Sequence, residues 1–397
     1  MPNIRQLFQS NIAKTNTTPL SIEISSSEGI YMFGPDGNRY WDMISGICVS
    51  SLGHREPGII AAIRDQCDAY LHTMVYGEFI LSPQAQLAGA LAESLPEHMN
   101  CVYFTNSGSE AVEGALKTAR RYTGRTEIIA CSNAYHGSTM GSMSLMSDDY
   151  FTRAFRPLIP DIRHIGFNNI ADLDRITDNT ACVILETVQA ESGVKIPQDK
   201  YLTHLKRKCD ESGALLILDE IQVGMGRTGK LWAFENYNIM PDILLTAKAL
   251  GGGMPLGAFI STKSIMASIT KNPILGHITT FGGHPVSCAA GLASFHILTS
   301  GSLIHQVASK RDLFLKLLRH PLIIEKRHAG LLIALEFEFS EIAQEIIHRA
   351  LKYERLLLDF FLFNGKSIRI APPLTISKAQ IYEACLKFLR VLDSNNS

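Results

Sequence analysis

The stretch "YLTHLKRKCDESGALLILDEIQVGMGRTGK", Tyr201 to Lys230, changes character in its middle. Its first half reads as a helix. Its second half opens with five apolar residues, Ala214 to Leu218, a run of strand length, and ends abruptly on the acids Asp219 and Glu220. The same alternation runs through most of the chain. "CVYFT" precedes the helical "NSGSEAVEGALKTARRY", and "EIIACS", "ACVILE", "DILLTA" and "GAFIS" are further short strands. Apolar strands interleaved with helices predict an α/β fold, a mostly parallel sheet covered on both faces.

Outside that core the pattern differs. The first residues offer short strands around the turn Pro35-Asp36-Gly37, then the helical "IIAAIRDQCDAYL". After about Ser300 come two helices, "GLLIALEFEF", another helix, a short strand "SIRIAP" and a final helix from Lys378. The division expected is a large domain over residues 46–300, a smaller α+β domain over 301–397, and a segment 1–45 packing with the smaller one.

Composition excludes several classes. Of 397 residues 46% are apolar and 19% charged, and 37 Lys and Arg against 38 Asp and Glu leave a net charge of -1. That balance gives no electrostatic case for nucleic acid or an anionic membrane. No apolar run reaches the roughly 18 residues of a membrane span. The polar N-terminus lacks the apolar core of a secretory signal. Eight cysteines form no C-x-x-C pair, so they read as small core residues in a reducing compartment, and the cytoplasm is the expected location.

Ligands of parallel sheets bind at the carboxyl ends of the strands, and four such ends are unusual. In "FTNSGSEA", Ser107, Gly108 and Ser109 open a helix whose N–H groups could take an anion, although a serine there is equally an N-cap. In "SNAYHGSTMG", Tyr135 and His136 could flank a planar ligand or simply pack a loop. Asp219 and Glu220 need cationic or donor partners. An acidic pair could hold Mg²⁺, but the chain has no G-x-x-x-x-G-K-[ST] motif, whereas a protonated ring nitrogen would serve Asp219. In "DILLTAKALGGGMPLGA", Lys248 follows an apolar strand, where desolvation favours the neutral amine that a Schiff base requires. A lysine reaching out to solvent is the alternative. Gly251, Gly252 and Gly253 beside it mark backbone that comes very close to something. A phosphate cup, a stacking ring, a carboxylate for a pyridinium and an amine for an aldehyde are together what pyridoxal 5′-phosphate demands.

These residues also resemble a family. "LILDEIQVGMGRTGKLWAFE", "PDILLTAKALGGGMPLGA", "FTNSGSEAVEGALKTAR", "HITTFGGHPVSCAAGLA" and "SIRIAPPLTIS" are similar to segments of class III, fold type I, pyridoxal-phosphate-dependent aminotransferases, most like acetylornithine and ornithine aminotransferases. The resemblance implies a transfer of an amino group from an ornithine-like or other ω-amino donor to an oxo acid such as 2-oxoglutarate. Lys248 would be the cofactor-bound amine and general base, and Asp219 the partner of the pyridinium nitrogen. Gln222 would bond the phenolic oxygen. Tyr135 would stack on the ring, with His136 beside it. Ser107, Gly108 and Ser109 would hold the phosphate, and Glu186 would support the pocket. Thr280 would reach the phosphate of a second subunit, making the enzyme a homodimer. Arg369 would bind the substrate carboxylate and Glu191 would pair with that arginine. Tyr76, with Glu78 and Phe79, is expected along the substrate channel.

The chain departs from the family in three places. Ser138, in "YHGST", stands where an arginine usually contacts a substrate carboxylate, a pattern closer to ω-amino-acid and diamine aminotransferases. His284 replaces a usual asparagine, and "ETVQAESG" lacks the usual proline and first glycine. An aminomutase or racemase of the same fold, and a pyridoxal-phosphate-binding protein without catalytic power, are the competing readings.

Overall fold

The computed structural model describes residues 3–198 and 200–394. Seven strands form the central sheet. In spatial order they are Cys101–Thr105, Gly257–Ser261, Ile243–Thr246, Leu215–Asp219, Thr180–Glu186, Glu127–Cys131 and Ile162–Ile165. Gly257–Ser261 runs antiparallel to both neighbours, and every other pairing is parallel. The central strands are buried from end to end, as a sheet covered on both faces requires. Ile162–Ile165, "IRHI", escaped the sequence reading. It is an edge strand with one neighbour, so Arg163 and His164 interrupt the apolar pattern without harm.

The helix Gly108–Thr123 lies over one face. It starts on the Ser107 N-cap and stops where Gly124 turns left-handed at φ 70°. On the other side, Pro285–Ser300 packs against Pro57–Ala69 and Ser82–Glu93. The middle one of the three glycines after Lys248 is explained here. A side chain on Gly252, at φ 59°, would meet Ile59, Ser294 and the Ala290 carbonyl at 3.0–3.1 Å, so the close approach is to these two helices.

The C-terminal sheet has the order Glu325–Ala329, Leu332–Glu336, Asn364–Ile370, Asp359–Phe361, all antiparallel. Helices Leu303–Leu317, Ser340–Glu354 and Lys378–Asp393 accompany it. Only one helix follows Ser300 before this sheet, because Pro285–Ser300 already ends there. The outer strand Glu325–Ala329, "EKRHA", has no apolar alternation and was missed for that reason. Near the N-terminus, strands Ser26–Glu28, Tyr31–Phe33 and Arg39–Asp42 form a meander, and the last pairs in parallel with Leu356–Leu357. That meander runs into a turn, Ser45–Cys48, in which all four residues have positive φ: 44°, 59°, 60° and 65°. Three of the four carry side chains, at a cost of about 1–2 kcal/mol each.

Candidate active site

Parallel pairing brings the carboxyl ends of several strands to one edge, and register decides which side chains meet. Glu186 and Asp219 are direct partners across adjacent strands. Asp219 is 4% exposed. One of its oxygens accepts the Ile221 N–H at 2.9 Å, and the other lies 2.7 Å from Nδ1 of the buried His136. Glu186 accepts the N–H groups of Tyr135 at 3.2 Å and Ala190 at 2.9 Å. Burial, and then the charge of Asp219, pushes the Glu186 carboxyl well above the usual range. That direction favours the protonated form of Glu186 beside Asp219.

Asp219 and Glu220 do not act as a pair. Consecutive side chains leave a strand on opposite faces, and Glu220 turns away from the site. It accepts the N–H groups of Ala233 and Phe234, both at 2.6 Å, and the Thr187 hydroxyl at 2.9 Å, clamping the next turn of chain. Burial raises its pKa to about 7. No cluster of metal-ligating side chains exists among the described residues.

A cavity of about 410 Å³ opens over these strand ends. Ser107, Gly108, Ser109, Tyr135, His136, Glu186, Asp219, Gln222 and Lys248 all line it. Lys248 starts a 3₁₀ turn with its own φ at 50°, and its amine donates to Gln222 Oε1 at 3.2 Å. Desolvation lowers its pKa, while Cys48, Glu191 and Asp219 oppose that fall and Arg369 adds to it. Ser107 is also the N-cap, its hydroxyl accepting the Glu110 N–H at 3.2 Å. Gly137 allows the loop to come down on Ser109: at φ 128° it adopts a conformation side chains avoid, and a Cβ there would collide with the Ser109 hydroxyl.

Other expected residues lie outside this lining. Ser138 is exposed beside it, its hydroxyl 3.1 Å from that of Tyr135 and its N–H donating to Ser109 Oγ. Arg369 and Glu191 are both buried, and Arg369 Nη2 lies 2.6 Å from each carboxylate oxygen of Glu191. The guanidinium also sits 4.6 Å from the Phe361 ring centroid, and its Nη1 is 3.9 Å from Asp359. Tyr76 lines a second cavity, of about 370 Å³, together with Phe79 and Thr279, and Thr280 is exposed next to it. Several lining residues were not anticipated: Val49, Asn106, Ile221, Val223 and the run Met254 to Leu256. All of these but Val49 lie inside quoted motifs and could have been found. Val49 comes from a distant segment and carries no local signal.

Two observations test the fit of pyridoxal 5′-phosphate. Gln222 Nε2 and His136 Nε2 are buried polar atoms without a hydrogen-bond partner, and such atoms call for an explanation. A phenolic oxygen would take the Gln222 amide proton. A pyridinium nitrogen suits the Asp219 carboxyl group, and the helix N-terminus at Gly108 suits a phosphate. The residues present therefore fit the cofactor at its ring, its substituent and its phosphate.

Comparison with known proteins agrees. The chain is 40% identical over 382 residues to a putrescine aminotransferase of Pectobacterium atrosepticum, covering 91% of this chain and 80% of that protein. It superimposes on a Toxoplasma gondii ornithine aminotransferase, described with partial occupancy of PLP at its active site, with a TM-score of 0.89 and 28% identity over 98% and 94% of the two chains. An adenosylmethionine-8-amino-7-oxononanoate aminotransferase from Methanocaldococcus jannaschii matches with a TM-score of 0.91 and 27% identity, each chain 98% covered. The pattern of the aminotransferase class-III family runs from residue 12 to residue 392. The chain belongs to the class-III aminotransferases, fold type I enzymes that use pyridoxal 5′-phosphate to pass an amino group from an amino compound to an oxo acid.

Proposed function

We propose that the amino donor is a diamine or a related ω-amino compound and that a 2-oxo acid such as 2-oxoglutarate accepts the amino group. The observation that carries this reading is the state of Arg369. Its Nη2 is taken up by both oxygens of Glu191, so a donor without a carboxylate can enter while the guanidinium stays neutralised. An oxo acid then requires Glu191 to move aside and expose the fork that binds carboxylates bidentately. Ser138 supports the same reading, because among the described residues no arginine lines the cavity to hold a second carboxylate. The 40% identity to a putrescine aminotransferase points the same way.

The cofactor, when bound, supplies an electron sink for the carbon that loses its proton. The chain does the rest. Asp219 holds a proton on the ring nitrogen by its negative charge, and His136 fixes the orientation of that carboxylate. Lys248 Nζ, its ammonium form disfavoured by burial, is the base that removes the proton from the donor's amine-bearing carbon. Gln222 orients that amine through its 3.2 Å hydrogen bond. Tyr135 covers the ring, and Gly108 and Ser109 anchor the phosphate at the helix N-terminus.

The test is a donor panel. The cofactor-loaded enzyme is mixed with putrescine, other diamines, 4-aminobutyrate, ornithine and acetylornithine, and the visible absorption band is followed without any oxo acid. Diamines should bleach it with a second-order rate constant at least tenfold above that of acetylornithine. Acetylornithine outrunning every diamine would remove the assignment.

A homodimer with Thr280 crossing to the partner's phosphate completes the proposal. Thr280 is exposed and absent from its own chain's cavity, and Phe79, Ile80 and Phe281 leave apolar surface nearby for a second copy. A hydrogen bond to a charged group is worth about 1.5–3 kcal/mol, so Thr280→Ala should weaken cofactor binding roughly 10- to 150-fold. Mixed with Lys248→Ala subunits, it should regain activity, since each hybrid holds one intact site. Hybrids no more active than the parents would place Thr280 elsewhere.

A further inference from the structure

The loop after Asp219, "QVGMGRTG", has so far explained only Gln222, yet it carries a deeply buried cation. Arg227 is 1% exposed, and it forms no ion pair among the described residues. Its Nη1 donates to the carbonyls of Leu331 and Pro372 at 3.1 and 2.6 Å, and its Nη2 to the hydroxyls of Ser45 and Ser51 at 3.3 and 3.0 Å. Four neutral acceptors and no carboxylate make this an expensive way to fill a core. What the guanidinium holds together is therefore informative.

Two of its acceptors bracket the left-handed turn Ser45–Cys48. Ile47, at φ 60° and ψ 56°, is β-branched, the type least suited to that conformation. The turn is restrained from outside. Asp42 accepts the N–H groups of Ile44 and Ser45 at 3.0 and 2.7 Å, and the Ser45 hydroxyl donates to the Ala371 carbonyl. Ala371 and Pro372 directly follow the strand that carries Arg369. At the other end the turn reaches the site, where Val49 lines the Lys248 cavity. Backbone held in a disfavoured region persists only where its surroundings over-determine it, and such places cluster at functional sites.

We propose that Arg227 is a positioning residue for transamination: its guanidinium locks the left-handed turn Ser45–Cys48 to the chain following Arg369, and so fixes the wall at Val49 that sorts amine donors by size. A purely space-filling arginine would affect stability everywhere and donor choice nowhere.

Arg227→Lys tests this in the cofactor-loaded enzyme, since one ammonium cannot reproduce a planar fork. The Cys48 and Val49 amides, bonded to the Ile44 and Ser45 carbonyls at 3.0 and 2.8 Å, should exchange hydrogen at least tenfold faster, with those of Leu215–Asp219 unchanged. The ratio of kcat/KM for 1,4-diaminobutane to that for 1,6-diaminohexane should shrink at least fivefold, while cofactor affinity moves less than twofold. Adding Ile47→Gly, which relieves the strain directly, should restore at least half of the lost protection. Unchanged exchange in the turn, an equal rise throughout the chain, an unchanged donor ratio, or no recovery in the double variant would each overturn the proposal. If Arg227→Lys does not fold, Ser51→Ala removes one acceptor and carries the same readouts at about threefold. The inference rests on transamination and not on the choice of donor. If the diamines are not turned over, ornithine and 4-aminobutyrate supply the ratio, and the exchange measurement needs no donor.

Discussion

Replacing Lys248 by alanine is expected to abolish turnover and to remove the visible band of the cofactor-loaded protein. Among the described residues lining the cavity Lys248 is the only lysine or arginine, so no neighbour there can take over its amine. Loss of a positioned general base alone costs typically 10²–10⁴-fold. Because the amine that attaches the cofactor goes with it, the loss in kcat should be roughly 10⁴-fold or more. Folding should survive, since the substitution removes a cation that burial already disfavours. Thermal denaturation of the variant checks that point, and single-turnover assays check the rate. A variant within tenfold of the unsubstituted enzyme would mean that another amine does the work.

Asp219→Ala should produce the second largest effect. The carboxylate accepts the Ile221 N–H and contacts His136, and the counterpart proposed for its charge is the ring nitrogen of the cofactor. Removing one member of a buried charge pair costs about 3–5 kcal/mol. If that loss falls on the transition state, kcat drops roughly 10²- to 10⁴-fold. Asp219→Asn separates charge from shape. It keeps an oxygen for Ile221, so activity near that of the alanine variant assigns the effect to charge. A loss below about fivefold in either variant would say that the pyridinium partner lies elsewhere.

Much of this site was legible along the chain because its chemistry is local. Each of Ser109, His136, Asp219 and Lys248 lies at or just beyond the end of an apolar strand, or at the start of the helix that follows one. The rule that strand ends form the site then converts sequence position into proximity. The acid pair shows where that reasoning stops. Asp219 and Glu220 are equivalent as letters, but strand alternation sends one to the cavity and the other to a backbone clamp 2.6 Å from two amides. A close approach at Gly252 was likewise readable from the glycine run, but not that it is to helices Pro57–Ala69 and Pro285–Ser300.

By itself, then, the sequence determined the strand and helix alternation, the four strand-end groups and the cofactor they demand, since periodicity and motif depend on neighbours a few residues apart. Tertiary structure alone decided that Glu186 faces Asp219 and that Glu191 occupies Arg369. It also decided that Val49 walls the cavity from a left-handed turn and that Tyr76 and Thr280 lie away from it. Those outcomes depend on strand register and on contacts between segments more than a hundred positions apart. No local pattern of side chains encodes which distant surface a residue will meet.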